Sequence, residues 1–302
     1  MMTANLITRD EVLQRSDSLP VLPAVINKLI TTLNDPYRNT QVLVEHITHE
    51  ALIAARILLL INNATHARHR HIADVYDLNA AISLIGPRHV REMVLADSYA
   101  AFVKKIASDQ MAQPFLQHSL SVAICCEELA IHINTPSIWV ETAWIAGLLH
   151  EIGTLWLYRF RNQEFHLLAL RAADDMLTQE AAERAILHAD HATIGAWLAE
   201  YWGLPAAICS AIKFHHTPEG AHHKALVPLV HVAEVLSSAL NLPQHKSNRV
   251  CYISGDACKK INLSWGNDSQ QLFDRIAAHT RRSITLYLQT PMQVSPNITR
   301  IL

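Results

Sequence analysis

The sequence predicts an all-α protein. Three observations lead there: glycine is scarce, with eight in 302 residues; strand-like alternation is absent; and apolar residues recur at helical spacing almost throughout. Hydrophobic residues make up 50% of the chain and charged residues 17%. A chain of this length and composition can bury enough apolar surface to offset its ordering entropy, which argues against disorder and leaves room for two helical lobes.

The elements follow in order. Thr8 and Glu11 have capping-box spacing and open a short helix. Leu22, Val25, Ile26, Leu29, Ile30 and Leu33 form a helical stripe closed by Asn34-Asp35-Pro36. Thr40 caps a helix carrying Leu43, Val44 and Ile47, and a further stripe takes in Leu52, Ile53, Ile57, Leu60 and Ile61. Leu78, Ile82 and Ile85 lead to Gly86; Pro87 then pre-sets a first helical turn, followed by Val90, Met93 and Val94. This helix-glycine-helix unit, with Arg88, His89 and Arg91, has the outline of a DNA-reading motif. Its apolar stripe fits a packed helical hairpin better.

A break is expected from Ser108 to Pro114. Helices are then expected over Phe115–His132, Trp139–Phe160, Glu164–Leu187, His191–Tyr201, Pro205–Phe214 and Leu226–Leu240. Pro243 to Asn248 reads as a linker and about Gln270 to Leu288 as a last helix. The expected organisation is an N-terminal helix over 1–18, a domain over 19–242 and a C-terminal helical extension over 243–302. Within the domain, a helical lobe over 19–108 packs on a second lobe over 111–242. Trp144, Trp197 and Trp202 read as core or lobe-interface anchors.

The net charge is -2, so no positive excess is available to neutralise a nucleic-acid backbone. No stretch approaches the roughly 20 apolar residues of a membrane span. The start, MMTANLITRD, lacks a basic region followed by an apolar one, and a cytoplasmic location is the expectation. Cys125, Cys126, Cys209, Cys251 and Cys258 form no CxxC pair and read as reduced thiols, the first two as small apolar packing groups. The segment His66 to His71, HARHRH, is locally basic; it reads as a solvated loop or as a patch for phosphate or an acidic partner.

The chain has 19 histidines. Five of them fall with carboxylates in a suggestive order: His118, then His150 with Glu151, then His191, then His215 with His216, and last Glu234. Imidazole and carboxylate are the ligands that divalent first-row metals take, and helices distant in sequence can aim them at one cavity. Adjacent ligands such as His150-Glu151 work at helix ends, where both side chains can turn inward. The same histidines also read as hydrogen-bonded core groups without metal. His188, His222, His223 and His231 stand outside the pattern and are assigned to packing or surface.

That order resembles the HD superfamily of metal-dependent phosphohydrolases, and the fuller match is to the HDOD family of bacterial signalling proteins. LPVLPAVINKLITTLNDP, EHITHEALIAARILLLINNA and LNAAISLIGPRHVREMVLA are similar to successive blocks of that family; FLQHS, AGLLHEIG, DHATIGAWLAEYWGLP and HH follow in family order. The resemblance implies an HD-like helical core. It also implies a divalent transition metal (Fe, Mn, Ni or Zn) held by His118, His150, Glu151, His191, His215, His216 and Glu234. Four departures bear on activity. Glu151 and Glu234 stand where the superfamily has aspartate, Thr154 stands where many active relatives have lysine, and TPEGAHH lacks the Gly-Tyr-Pro of the cyclic-di-GMP phosphodiesterases. The leading expectation is a non-catalytic regulatory module acting through protein partners in bacterial signalling. The alternative is a metal-dependent phosphohydrolase acting on a nucleotide or cyclic dinucleotide.

Overall fold

The capping box at the start of the chain forms as its spacing requires. Thr8 Oγ1 accepts from the Glu11 amide at 3.2 Å and opens α1 (Arg9–Ser16). The coordinates are those of a computed structural model, which describes residues 6–32, 42, 44–47, 54, 57, 58, 78–174, 178–221, 226–242 and 252–288. The Thr40 cap, most of the Leu52 to Ile61 stripe, HARHRH, His222, His223, Cys251 and the Pro243 to Asn248 linker lie outside the described residues.

The described residues contain helices and no strands. After α1 come α2 (Ala24–Thr31), α3 (Leu78–Ile85), α4 (Pro87–Lys104), α5 (Asp109–His132), α6 (Ser137–Leu149), α7 (Ile152–Phe160), α8 (Asn162–Asp174) and α9 (Gln179–Leu187). Then follow α10 (His191–Tyr201), α11 (Ala206–Phe214), a 3₁₀ turn (Pro218–Gly220), α12 (Leu226–Ala239), α13 (Gly255–Lys260) and α14 (Ser269–Tyr287).

The architecture turns on α5, which carries α4, α6, α12 and α14 around it. Leu120, Val122, Ala123, Ile124, Cys125, Cys126, Leu129 and Ala130 are all buried, as are the polar Ser119, Ser121, Glu127 and Glu128 among them, so this stretch of the helix is enclosed on every side, as a central helix must be. Burial also pushes the Cys125 and Cys126 thiols up, away from reactive thiolate. One apolar core runs from Leu22 to Tyr287 and so joins the N-terminal lobe to the C-terminal helix. A second cluster, with Val12, Trp156, Leu157 and Leu198, seats α1 and α9 against α7 and α10. Trp144 is fully buried, while Trp197 and Trp202 pack at the margins of these clusters.

Three sequence expectations are corrected. The expected break before Phe115 is shorter: α5 begins at Asp109, with Ser108 as N-cap and Pro114 inside the helix. Pro114 is the sixth residue of this helix, past the first turn, and so leaves the Gln110 carbonyl without its i+4 amide. The single helix expected over Trp139–Phe160 is two, with the break at His150-Glu151. The single helix expected over Glu164–Leu187 is also two, α8 and α9. The Gly86-Pro87 unit is a packed hairpin: Gly86 has φ 89, Pro87 takes the first turn, and Val90, Met93 and Val94 are buried.

Candidate metal centre

Each residue of the sequence pattern stands at or near a helix end or on a wall facing the same space. His118 comes from α5, His150 closes α6, Glu151 caps α7, His191 opens α10, His215 closes α11 with His216 next to it, and Glu234 lies on α12. The break after α6 is what turns His150 and Glu151 inward together. The ring centroids of His118 and His150 are 5.2 Å apart, His150 and His215 5.1 Å, His215 and His216 4.0 Å, and His191 and His216 4.9 Å. All five histidines and both glutamates therefore converge.

Two carboxylates organise the cluster. Glu151 Oε1 lies 3.2 Å from His191 Nε2, 3.7 Å from His215 Nε2 and 3.9 Å from His150 Nε2. Its other oxygen accepts the Thr154 hydroxyl, so Thr154 fixes the carboxylate one helical turn behind it. Glu234 Oε2 lies 3.0 Å from His150 Nε2 and 3.3 Å from His118 Nε2.

The far side of each ring is anchored. His150 Nδ1 donates to the Gly147 carbonyl at 2.7 Å and His215 Nδ1 to the Ile212 carbonyl at 2.6 Å. These carbonyls can only accept, which places the ring proton on Nδ1 and leaves the Nε2 lone pair facing the cluster. His191 Nδ1 lies 2.7 Å from Glu183 Oε2, which also accepts the His191 amide at 2.8 Å. His231 Nδ1 donates to the His215 carbonyl at 2.7 Å, and its Nε2 receives the Ser254 amide at 3.1 Å.

Electrostatics divide the cluster. Burial opposes charge on His191, but Glu151 and Glu183 overcome it and hold its pKa well above the ordinary range. Burial, with His215 and His191, pushes His216 well below that range, so in the 2.9 Å contact between their Nε2 atoms His191 donates. Burial likewise opposes charge on His118, yet Glu234 raises it to about 9. Burial lowers His150 despite Glu234. Burial works to raise both carboxylates, but their imidazole neighbours keep Glu151 and Glu234 well below the carboxylate range.

The donor set fits a divalent metal. His150 Nε2, His215 Nε2 and Glu234 Oε2 are buried and make no aligned hydrogen bond, although charge partners stand close. Buried polar atoms without partners are costly, and lone pairs converging on one space are what a cation satisfies. Two ligand groups overlap at Glu151: one has His118 and His150, the other His191, His215 and His216, with ligand atoms within 4.8 Å in each. Another group that meets this distance, Glu92, Glu127 and His279, already faces the guanidinium groups of Arg88 and Arg91.

A family model for the HDOD domain matches residues 19–218. The chain belongs to the HDOD family. Solved structures agree on the fold. An HDOD domain protein of unknown function from Geobacter sulfurreducens aligns with a TM-score of 0.75 at 21% identity, over 93% of this chain and 98% of its own. A candidate phosphohydrolase from Shewanella amazonensis SB2B aligns at 0.66 and 23%, over 92% and 97%. A candidate signal transduction protein from Marinobacter aquaeolei VT8 aligns at 0.66 and 18%, over 94% and 66%. An uncharacterised protein of Treponema pallidum (strain Nichols) is 22% identical over 229 residues, which span 73% of this chain and 42% of the relative. No helix among the described residues is long and apolar enough to cross a membrane.

The HDOD match ends at Pro218, so Glu234 completes the cluster from beyond it. Of the residues that support the cluster, the sequence pattern does not single out Glu183, assigns His231 to packing or surface, and gives Thr154 no contact with Glu151. Glu183 and His231 sit on helical stripes that mark them as buried without naming a partner. Thr154 stands in the sequence as the loss of a cation; its three-residue spacing from Glu151 across the start of a helix brings the two side chains together.

Proposed function

We propose that this HDOD protein is a regulatory module whose histidine cluster holds a divalent transition metal without supporting turnover, and that it acts through contacts with protein partners. One observation carries this reading. Among the described residues, every charge partner of Glu151 and Glu234 is a histidine, and no lysine or arginine is paired with any of the seven candidate ligands. A bound metal would polarise phosphate and activate water. Hydrolysis also needs positive groups placed for the transition-state charge, and losing one such contact costs about 2.7–4 kcal/mol. At the position where such a group is common, Thr154 is committed to Glu151.

The test is metal analysis of protein purified without chelator or nickel resin, followed by phosphodiester assays with manganese, iron, nickel and magnesium. Bound metal with turnover no higher than that of His150→Ala supports the proposal. Metal-dependent hydrolysis that a folded His150→Ala lacks would establish the alternative, a phosphohydrolase acting on a nucleotide or cyclic dinucleotide.

Glu183 gives a second prediction. It orients His191 and raises its basicity, the role of a carboxylate behind a metal-bound imidazole. Glu183→Gln is expected to weaken metal retention by roughly 10–100-fold. Competition with a fluorescent chelator measures this; unchanged retention would remove His191 from the ligand set.

A further inference from the structure

The C-terminal helix α14 lies outside the matched HDOD segment and closes a cleft against the start of α4. The cleft has a volume of about 220 Å³ and is lined by Arg88, His89, Glu128, Arg275, His279 and Arg282. Three guanidinium groups and two imidazoles thus face a single carboxylate. That carboxylate is shared: Glu128 lies 2.9 Å from His279 Nδ1, 3.1 Å from an Arg88 terminal nitrogen and 3.3 Å from Arg275 Nε. Arg88 has further partners in Glu92 and Glu127. Arg275 is bound through Nε alone, and among the described residues no carboxylate pairs with Arg282. Glu92 and Glu127 answer Arg88 and His279, so the positive charge left over in the cleft is on Arg282 and the terminal donors of Arg275.

We propose that this cleft binds the phosphate group of a small anionic ligand. Arginine presents a planar fork of donors that matches phosphate oxygens two at a time, and Arg275 and Arg282, both on α14, line one wall of the cleft with terminal donors that no carboxylate among the described residues takes, while Arg88 and His89 at the start of α4 line it too. The start of α4 adds to this. Its N-cap is Gly86, which supplies no side-chain cap, so the first-turn amides add positive potential. The volume falls below the roughly 300 Å³ at which pockets for drug-sized molecules begin, so the cleft takes the charged end of a ligand and leaves the remainder in solvent. Because α4 belongs to the HDOD domain and α14 does not, a ligand here bridges the two, and its binding strengthens their docking.

Isothermal titration tests the site on the 302-residue chain stripped of metal with a chelator and dialysed, so that the histidine cluster offers phosphate no cation. The probes are inorganic phosphate, pyrophosphate and a nucleoside monophosphate. Saturable 1:1 binding is expected, falling with added salt as exposed arginines require. A nucleotide that binds no more tightly than inorganic phosphate identifies the phosphate as all that is read; a tighter one identifies a phosphate ester as the ligand. Arg282→Ala is expected to weaken binding about tenfold or more, and Arg282→Lys, which keeps the charge without the fork, by less. Arg159→Ala, an exposed arginine on α7, is expected to change nothing. Arg282 is itself exposed, and a circular dichroism melt checks that its variants fold. Absence of saturable binding at about 10 mM of every probe, or equal binding by parent and Arg282→Ala, would overturn the proposal.

Discussion

Replacing Gly153 with alanine is expected to cost more stability than any other single methyl group added to this protein, and to open the histidine cluster. Gly153 stands where α7 crosses α10. A Cβ there would lie 2.0 Å from the His191 carbonyl oxygen and 2.6 Å from the Gly195 amide nitrogen. Both are backbone atoms and cannot rotate away, so the helices must part by about 1 Å. Overpacking of cores costs about 1–3 kcal/mol when side chains can yield, and this clash lies at or above the top of that range. A fall in Tm of about 5 °C or more follows. The separation also draws Glu151, two residues before Gly153, away from His191, so retained metal should fall with it. Gly195→Ala meets chiefly the Ile212 side chain at 2.9 Å and is expected to be milder. Gly220→Ala meets only Phe214 at 3.5 Å and serves as control. Thermal melts of the three variants give the ranking, and a Gly153→Ala protein melting within a degree of the parent would show that the crossing is looser than described.

That crossing also shows what a helical sequence conceals. The stripes place α7 and α10 as buried helices, and the motif order brings His150, Glu151 and His191 to one site. The pair His150-Glu151 is the one local mark of the interruption between Leu149 and Ile152; no proline is present there, and the apolar pattern resumes at once on its far side. The break is a tertiary requirement, because both ligands must face inward. The same holds for the missed partners. Glu183 meets His191 because the chain reverses at His188, in a left-handed conformation with φ 61 that helical periodicity does not announce. His279 meets Glu92 across 187 residues of sequence. Helical periodicity assigns a residue to a buried face; it cannot say which polar group waits there. The five histidines were legible because several segments carried a joint pattern, whereas the supporting shell consists of single residues.

His279 carries the last large effect. Its ring is buried between Glu92 on α4 and Glu128 on α5, with Nε2 3.0 Å from Glu92 and Nδ1 2.9 Å from Glu128. Glu127, Arg88 and His89 stand nearby, so α14 is held to the domain by an imidazolium inside a mixed charge network. Burial opposes charge on His279, but the two hydrogen-bonded glutamates raise it from 6.5 to about 9. A histidine raised on folding contributes stability that is complete below its unfolded pKa and lost as pH climbs through the folded one. The contribution therefore stands in full below about pH 6.5 and fades up to about pH 9. Its size is about 3 kcal/mol at roughly 1.4 kcal/mol per pKa step. Burial and the Glu92 charge raise Glu127 to about 8, which adds a loss of the same sign between about pH 4.5 and 8. His279 also holds the Glu92 and Glu128 carboxyls low, so the comparison reads the imidazole together with the carboxylates it pairs with. His279→Ala leaves Glu92 and Glu128 facing each other and is expected to cost about 3–5 kcal/mol at pH 6.5, the penalty for removing one partner of a buried ion pair. Urea unfolding of parent and variant at pH 6.5 and 9.5 measures both effects. The gap between them should narrow by most of 3 kcal/mol as pH rises, while amide exchange shows α14 opening first in the variant. Parallel pH dependences would mean that His279 is neutral in the folded protein, and that apolar packing alone holds α14 in place.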